Sequence, residues 1–172
     1  MQSEKNVVIV VAQKDFRDEE FAEPKRILEE AGIGVKVASS TTGECFGING
    51  LSVEAELDLS GVVSTDLDGI IFAGGPGVQQ FFGDDTVSNL AREFNADGKL
   101  VCAICWASVI LADAGLLQGK KATAWAGAKA DVISKGALWS DDIVVVDGNI
   151  VTANGPEAAD EFAQAIANIL MG

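Results

Sequence analysis

The 172-residue chain contains no histidine and no tyrosine. Without imidazole there can be no Ser-His-Asp triad, no Cys-His dyad and no His-ligated zinc or iron site, and a symmetric partner subunit would have none to lend. Acid–base work therefore falls to carboxylates, thiols, lysines or water. Basic charge is scarce too: 12 Lys and Arg stand against 26 Asp and Glu, for a net charge of −14 and a pI near 4.2. Nucleic acid and anionic membranes are bound by clustered Lys and Arg, so neither is an expected partner, and the acid excess reads as a solvated surface. Long apolar runs are missing as well. The run Val7–Ala12 is too short for a signal-peptide core and far too short to cross a bilayer. Cysteine is limited to Cys45, Cys102 and Cys105, an odd number without framework spacing, which points to a reducing cytoplasm.

What is present describes an ordered chain: 48% hydrophobic residues, 19 glycines and only 3 prolines argue for one folded domain over residues 1–172. The β-branched run Val7–Ala12 reads as a strand buried on both faces. Asp18-Glu19-Glu20 leads into Phe21, Ile27, Leu28 and Ala31 and closes at Gly32, the acid-first, glycine-last polarity of a helix. Pro24 within it predicts a kink or a late start. Val35–Ala38 reads as a strand, residues 45–57 as a hairpin, and Gly69–Ala73 as a buried strand ending in Gly74-Gly75-Pro76-Gly77. A helix over 84–94, a strand over 99–104 and a helix over 106–114 follow, the last stopped by Gly115. Val144–Thr152 is a hairpin around Asp147-Gly148, and the final helix runs from about Pro156 to Leu170 with Phe162, Ile166, Ile169 and Leu170 as its apolar stripe. Strands alternating with helices imply an α/β fold: a mostly parallel central sheet with helices on both faces.

Three stretches could carry chemistry. The strand ending at Ile104 passes without a spacer into a helix at Cys105, flanked by Ala103 and Ala107. Small residues two before and two after are what a tight nucleophile elbow needs, and a helix N-terminus lowers a thiol's pKa, which would favour a thiolate at Cys105. A buried structural cysteine is the other reading. Cys102 and Cys105 form a Cys-x-x-Cys, but Cys102 falls inside the strand, and strand residues three apart point to opposite faces, so a dithiol redox pair is disfavoured. A zinc site is weaker still, since it would need Cys45 and a carboxylate. Gly74-Gly75 is either an anion-binding nest or a plain strand-ending turn. The acids around Glu20 are either part of the same edge of the sheet or a solvated helix start.

These features, in this order, resemble the ThiJ/PfpI superfamily, which includes the parkinsonism-associated deglycase, bacterial glyoxalases and archaeal intracellular proteases. The blocks Ala-Ile-Cys105-Trp-Ala-Ser, Ala-Gly-Leu-Leu-Gln-Gly-Lys-Lys-Ala-Thr, Asp-Val-Ile-Ser-Lys-Gly-Ala, Val-Val-Asp-Gly-Asn-Ile-Val-Thr and Gly155-Pro156 each look like a family block, most of all like the PfpI-like branch. The resemblance implies a flavodoxin-like, class I glutamine amidotransferase-like sandwich, with Cys105 as elbow nucleophile and Glu20 as the acid that hydrogen-bonds its sulfur. It also implies an oxyanion site from the N–H groups of Gly75 and Trp106, no cofactor and no metal, and a homodimer or higher homo-oligomer. Two departures stand out. Trp106 replaces the histidine that follows the nucleophile in the protease-like branch, and Asn154 stands where the family often has arginine before Gly-Pro. The expected activity is cysteine-dependent conversion of a small reactive carbonyl such as a 2-oxoaldehyde. The alternatives are a redox sensor whose Cys105 an oxidant converts to a sulfinic acid, a PfpI-like peptidase disfavoured by the missing histidine, and an isocyanide hydratase-like addition.

Overall fold

A computed structural model describes residues 4–172. In chain order its strands and helices are β1 Asn6–Val10, β2 Lys14–Phe16, α1 Asp18–Glu30, β3 Gly34–Ser39, β4 Gly43–Gly47, β5 Ser52–Ala55, β6 Leu57–Asp58 and β7 Gly69–Phe72. They continue with α2 Asp85–Ala96, β8 Leu100–Ile104, α3 Ser108–Asp113, β9 Lys121–Ala122, α4 Lys129–Ser134, β10 Leu138–Trp139, β11 Val144–Asp147, β12 Ile150–Ala153 and α5 Ala159–Met171.

The apolar, β-branched runs become the middle of a seven-stranded sheet ordered β11-β12-β8-β7-β1-β3-β6. Every neighbouring pair is parallel except β11–β12, the hairpin at one edge. Strands β1, β7 and β8 are buried almost end to end because helices cover both faces. Helix α1 packs on α5 on one side; α2, α3 and α4 pack in sequence on the other. From β1 the chain moves outward to β3 and β6, then returns to place β7 on the opposite flank of β1. The carboxyl ends of β1 and β7 are therefore a topological switch point, where open α/β sheets leave a crevice. A second sheet of β2, β4 and β5 contains the expected hairpin, and β9 pairs with β10.

The structure corrects three local expectations. Helix α1 begins at Asp18 and runs through Pro24 without a late start. The helix after Cys105 opens with a 3-10 turn over Cys105–Ala107 and has only six α-helical residues. In α5 the buried stripe is Ala159, Phe162, Ala163, Ile166 and Ala167, whereas Ile169 is 41% exposed. Small alanines let α5 lie close to α1 and β12, and the last turn extends past them.

Candidate active site

Three chain segments converge where β1, β7 and β8 end. After β8, Cys105 takes φ of 63°, a left-handed conformation that an L-residue adopts only under constraint from its surroundings. Cys105 as a residue is 9% exposed. The turn is fixed by a hydrogen bond from the Trp125 amide to the Cys105 carbonyl, 3.2 Å.

After β7, Gly74 and Gly75 pass between the elbow and the segment that follows β2. A Cβ on Gly74 would sit 2.7 Å from Glu20 Oε1 and 2.9 Å from the Cys105 Cβ, so only glycine lets the acid and the thiol face each other there. Gly75 has φ of 107°, and a Cβ on it would strike the Arg17 amide nitrogen and lie 2.8 Å from the Asp15 carbonyl oxygen. The Arg17 amide donates to the Gly74 carbonyl at 2.9 Å, tying the two segments together.

Glu20, one turn into α1, is completely buried, unlike Glu19 beside it. On this helix Glu20, Pro24, Ile27 and Leu28 share the inward face, at the spacing of a helical stripe. The Cys105 thiol and the Gly74 backbone face the carboxyl, yet neither Glu20 oxygen meets a donor in good hydrogen-bond geometry among the described residues. Burial dominates the outcome: it lifts Glu20 from 4.5 to about 7, and the nearby thiol and the Arg17 guanidinium only partly oppose it. Cys105 is pushed up to about 12, first by burial and then by the negative charge of Glu20; the Trp106 amide and Arg17 pull weakly the other way. The lowered thiol pKa expected from a helix start therefore does not occur. The helix is too short and its first turn too irregular to outweigh desolvation and an adjacent carboxylate. As pH rises through neutrality the pair gains one negative charge, and it resides on Glu20 while Cys105 stays a thiol.

A cavity of about 180 Å³ is lined by Arg17, Gly75, Pro76, Cys105, Trp106, Trp125 and Pro156. The Trp106 ring packs edge-on to Phe82 at 5.6 Å and against Trp125 at 5.1 Å, so it forms a wall of the cavity. Three of the four sequence-predicted residues, Cys105, Gly75 and Trp106, line this space, while Glu20 lies behind the sulfur. Arg17 and Trp125 were not singled out in the sequence, and Pro156 only as part of the Gly155-Pro156 block and as a helix start. They come from loops distant along the chain, and only the burial pattern of α1 hinted at the orientation of its first turn. A larger groove of about 650 Å³ lies between α1, β3 and β5, away from Cys105, and is lined by no cysteine. Cys102 is fully buried within β8, its thiol pushed up by burial, and Cys45 belongs to the second sheet. Among the described residues no three of His, Cys, Asp and Glu are grouped closely enough to hold a metal ion, and no helix is long and apolar enough to cross a membrane.

Comparison with known proteins agrees with the fold. The Methanocaldococcus jannaschii protein MJ0967 is 41% identical over 159 residues, 91% of this chain and 78% of the relative. Deglycase PH1704 of Pyrococcus horikoshii is 35% identical over 156 residues, 91% of this chain and 93% of the relative. Among solved structures, the ThiJ/PfpI domain protein of Brachyspira murdochii superposes with a TM-score of 0.95 at 34% identity, covering 98% of both chains. Drosophila melanogaster DJ-1beta does so with a TM-score of 0.88 at 29% identity, covering 98% of this chain and 91% of that one. With the family model for DJ-1/PfpI matching residues 5–169, the chain belongs to the DJ-1/PfpI family.

Proposed function

We propose that the protein is a cysteine-dependent enzyme of the glyoxalase or deglycase kind, acting on small reactive carbonyls in the cytoplasm as a homo-oligomer. The observation that carries this reading is the strained Cys105, which lines a cavity and has the buried Glu20 beside it. Names in the family point the same way, since relatives include proteins called deglycase.

In this reading Glu20 is the general base. Its carboxylate takes the thiol proton as the sulfur adds to the aldehyde carbon, so a free thiolate need not accumulate. The Gly75 and Trp106 amides hold the developing alkoxide. With a 2-oxoaldehyde, the proton then reaches the oxygen to give a hemithioacetal, and the hydrogen on the former aldehyde carbon moves as a proton to the neighbouring carbonyl carbon. The resulting thioester is cleaved by water, releasing a 2-hydroxy acid and the thiol. One water is added overall, and oxidation at one carbon balances reduction at the next. Peptide hydrolysis fits less well because no histidine is present to protonate a leaving amine.

A second reading is favoured by the two unpartnered Glu20 oxygens. Protonated Glu20 would donate to a sulfinate formed on Cys105 by peroxide, making the chain an oxidation sensor. Steady-state turnover of methylglyoxal separates the two. The enzyme reading expects hydroxy-acid production that Cys105→Ser abolishes and Glu20→Gln reduces strongly. No turnover, together with peroxide adding two oxygens to Cys105, would establish the sensor instead.

A further inference from the structure

We propose that Arg17 determines the specificity of the Cys105 cavity, and that the cavity takes a short 2-oxo acid whose carboxylate is held by Arg17. This rests on the enzyme reading for its nucleophile and adds the substrate class.

Arg17 lines the cavity and is half-buried. The other arginines are engaged: Arg26 pairs with Glu23 and Glu30, and Arg92 donates to Asn89 and to the Ala114 carbonyl. The Arg17 guanidinium has no hydrogen bond or salt bridge among the described residues. The acid next to it does not compensate, because both Asp18 oxygens are spent on the Asn49 and Leu51 amides at 3.1 and 3.0 Å. A guanidinium that has lost part of its water without gaining a partner regains that free energy when an anion arrives, and a planar carboxylate matches its donor fork. The charge also reaches the reacting groups, since it favours the ionised forms of both Cys105 and Glu20.

The remaining walls narrow the choice. Trp106, Trp125, Pro76, Pro156 and Gly75 carry no charge, so among the described residues Arg17 is the one lining residue of the cavity with a formal charge, in a chain whose net charge is −14. About 180 Å³ corresponds to roughly six water volumes. A carboxylate bonded to a carbonyl fits within that space, and longer acids do not. The first step is an addition. A bond forms between Cys105 Sγ and the carbonyl carbon, the carbonyl π bond breaks, and the thiol proton passes through Glu20 to the carbonyl oxygen. The carboxylate stays on Arg17, and nothing is oxidised or reduced.

Alkylation of Cys105 tests this without requiring turnover. Iodoacetate and iodoacetamide are nearly the same size and differ in charge; each forms a Sγ–CH2 bond and releases iodide. Cys45 and Cys102 are fully buried, and Cys105→Ser gives the background. The rate ratio of iodoacetate to iodoacetamide cancels any general change in thiol reactivity. It should fall about tenfold or more from wild type to Arg17→Gln and be largely kept in Arg17→Lys. Glyoxylate should protect Cys105 from iodoacetamide at a concentration about tenfold lower in wild type than in Arg17→Gln. A ratio and a protection unaffected by Arg17→Gln would overturn the proposal, as would a Cys105 inert to both reagents. Charge-selective alkylation without turnover of any carbonyl would instead sink the enzyme reading and leave the anion site standing.

Discussion

Replacing Glu20 by glutamine should flatten the pH dependence of stability in a defined window. Burial raises the Glu20 carboxyl from 4.5 to about 7 in the folded chain. A group with a raised folded pKa keeps its proton longer in the native state than in the unfolded one, so native protein binds more protons between those values and stability falls as pH rises. Below 4.5 Glu20 is neutral in both states and imposes no penalty. Above about 7 it is ionised in both, and the penalty is complete. At roughly 1.4 kcal/mol per pKa unit the loss is about 3 kcal/mol, or roughly 6–12 °C in Tm for a chain of this length. Urea unfolding of wild type and Glu20→Gln from pH 4.5 to 7.5 measures it. Surface carboxylates contribute equally to both proteins, so the difference between the curves isolates Glu20. The two curves should diverge by about 3 kcal/mol across the window. Parallel curves would refute the reasoning and mean that Glu20 is solvated or paired in solution.

Backbone geometry gives further outcomes. Gly75→Ala must leave a φ of 107° and move the Arg17 amide, so it should destabilise by about 3 kcal/mol or more in urea unfolding and remove Cys105 reactivity with it. At Cys105, with φ of 63°, Cys105→Gly should be at least as stable as Cys105→Ala, by up to about 1 kcal/mol, reversing the usual order of glycine and alanine. Asp18→Ala leaves the Asn49 and Leu51 amides without their acceptor and should cost about 1–3 kcal/mol, with hydrogen exchange rising at those two amides.

How much of this was legible in the sequence depended on local pattern. The runs Val7–Ala12, Gly69–Ala73 and Lys99–Ile104 announce buried parallel strands because both faces of each are largely apolar; β7 and β8 stand within theirs, and β1 starts one residue earlier, at Asn6. The elbow was readable from Ala103 and Ala107 around Cys105, since the left-handed turn leaves no room for larger neighbours. Strands β6, β9 and β10 were not readable, because two residues carry no periodicity and pairing alone creates them. Within the site, Glu20 was named by the family resemblance and not by composition: an acid run at a helix start normally faces water, and its phase with Pro24, Ile27 and Leu28 puts it inside. The ionisation of Cys105 was misread for a related reason, since chain order shows a helix start but not the desolvation and neighbouring charge that override it. Arg17 and Trp125 reach the cavity only through tertiary structure, as the loops after β2 and β9 fold over the switch point.

The pH dependence of Cys105 alkylation by iodoacetamide tests most directly whether Cys105 and Glu20 work as one unit. With Glu20 as the base, reactivity in wild type should rise through a step near pH 7, as the carboxyl ionises and can accept the thiol proton, and Glu20→Gln should lack that step. A wild-type profile that rises only at alkaline pH, with no difference in Glu20→Gln, would contradict the Cys105–Glu20 pair as the reactive centre.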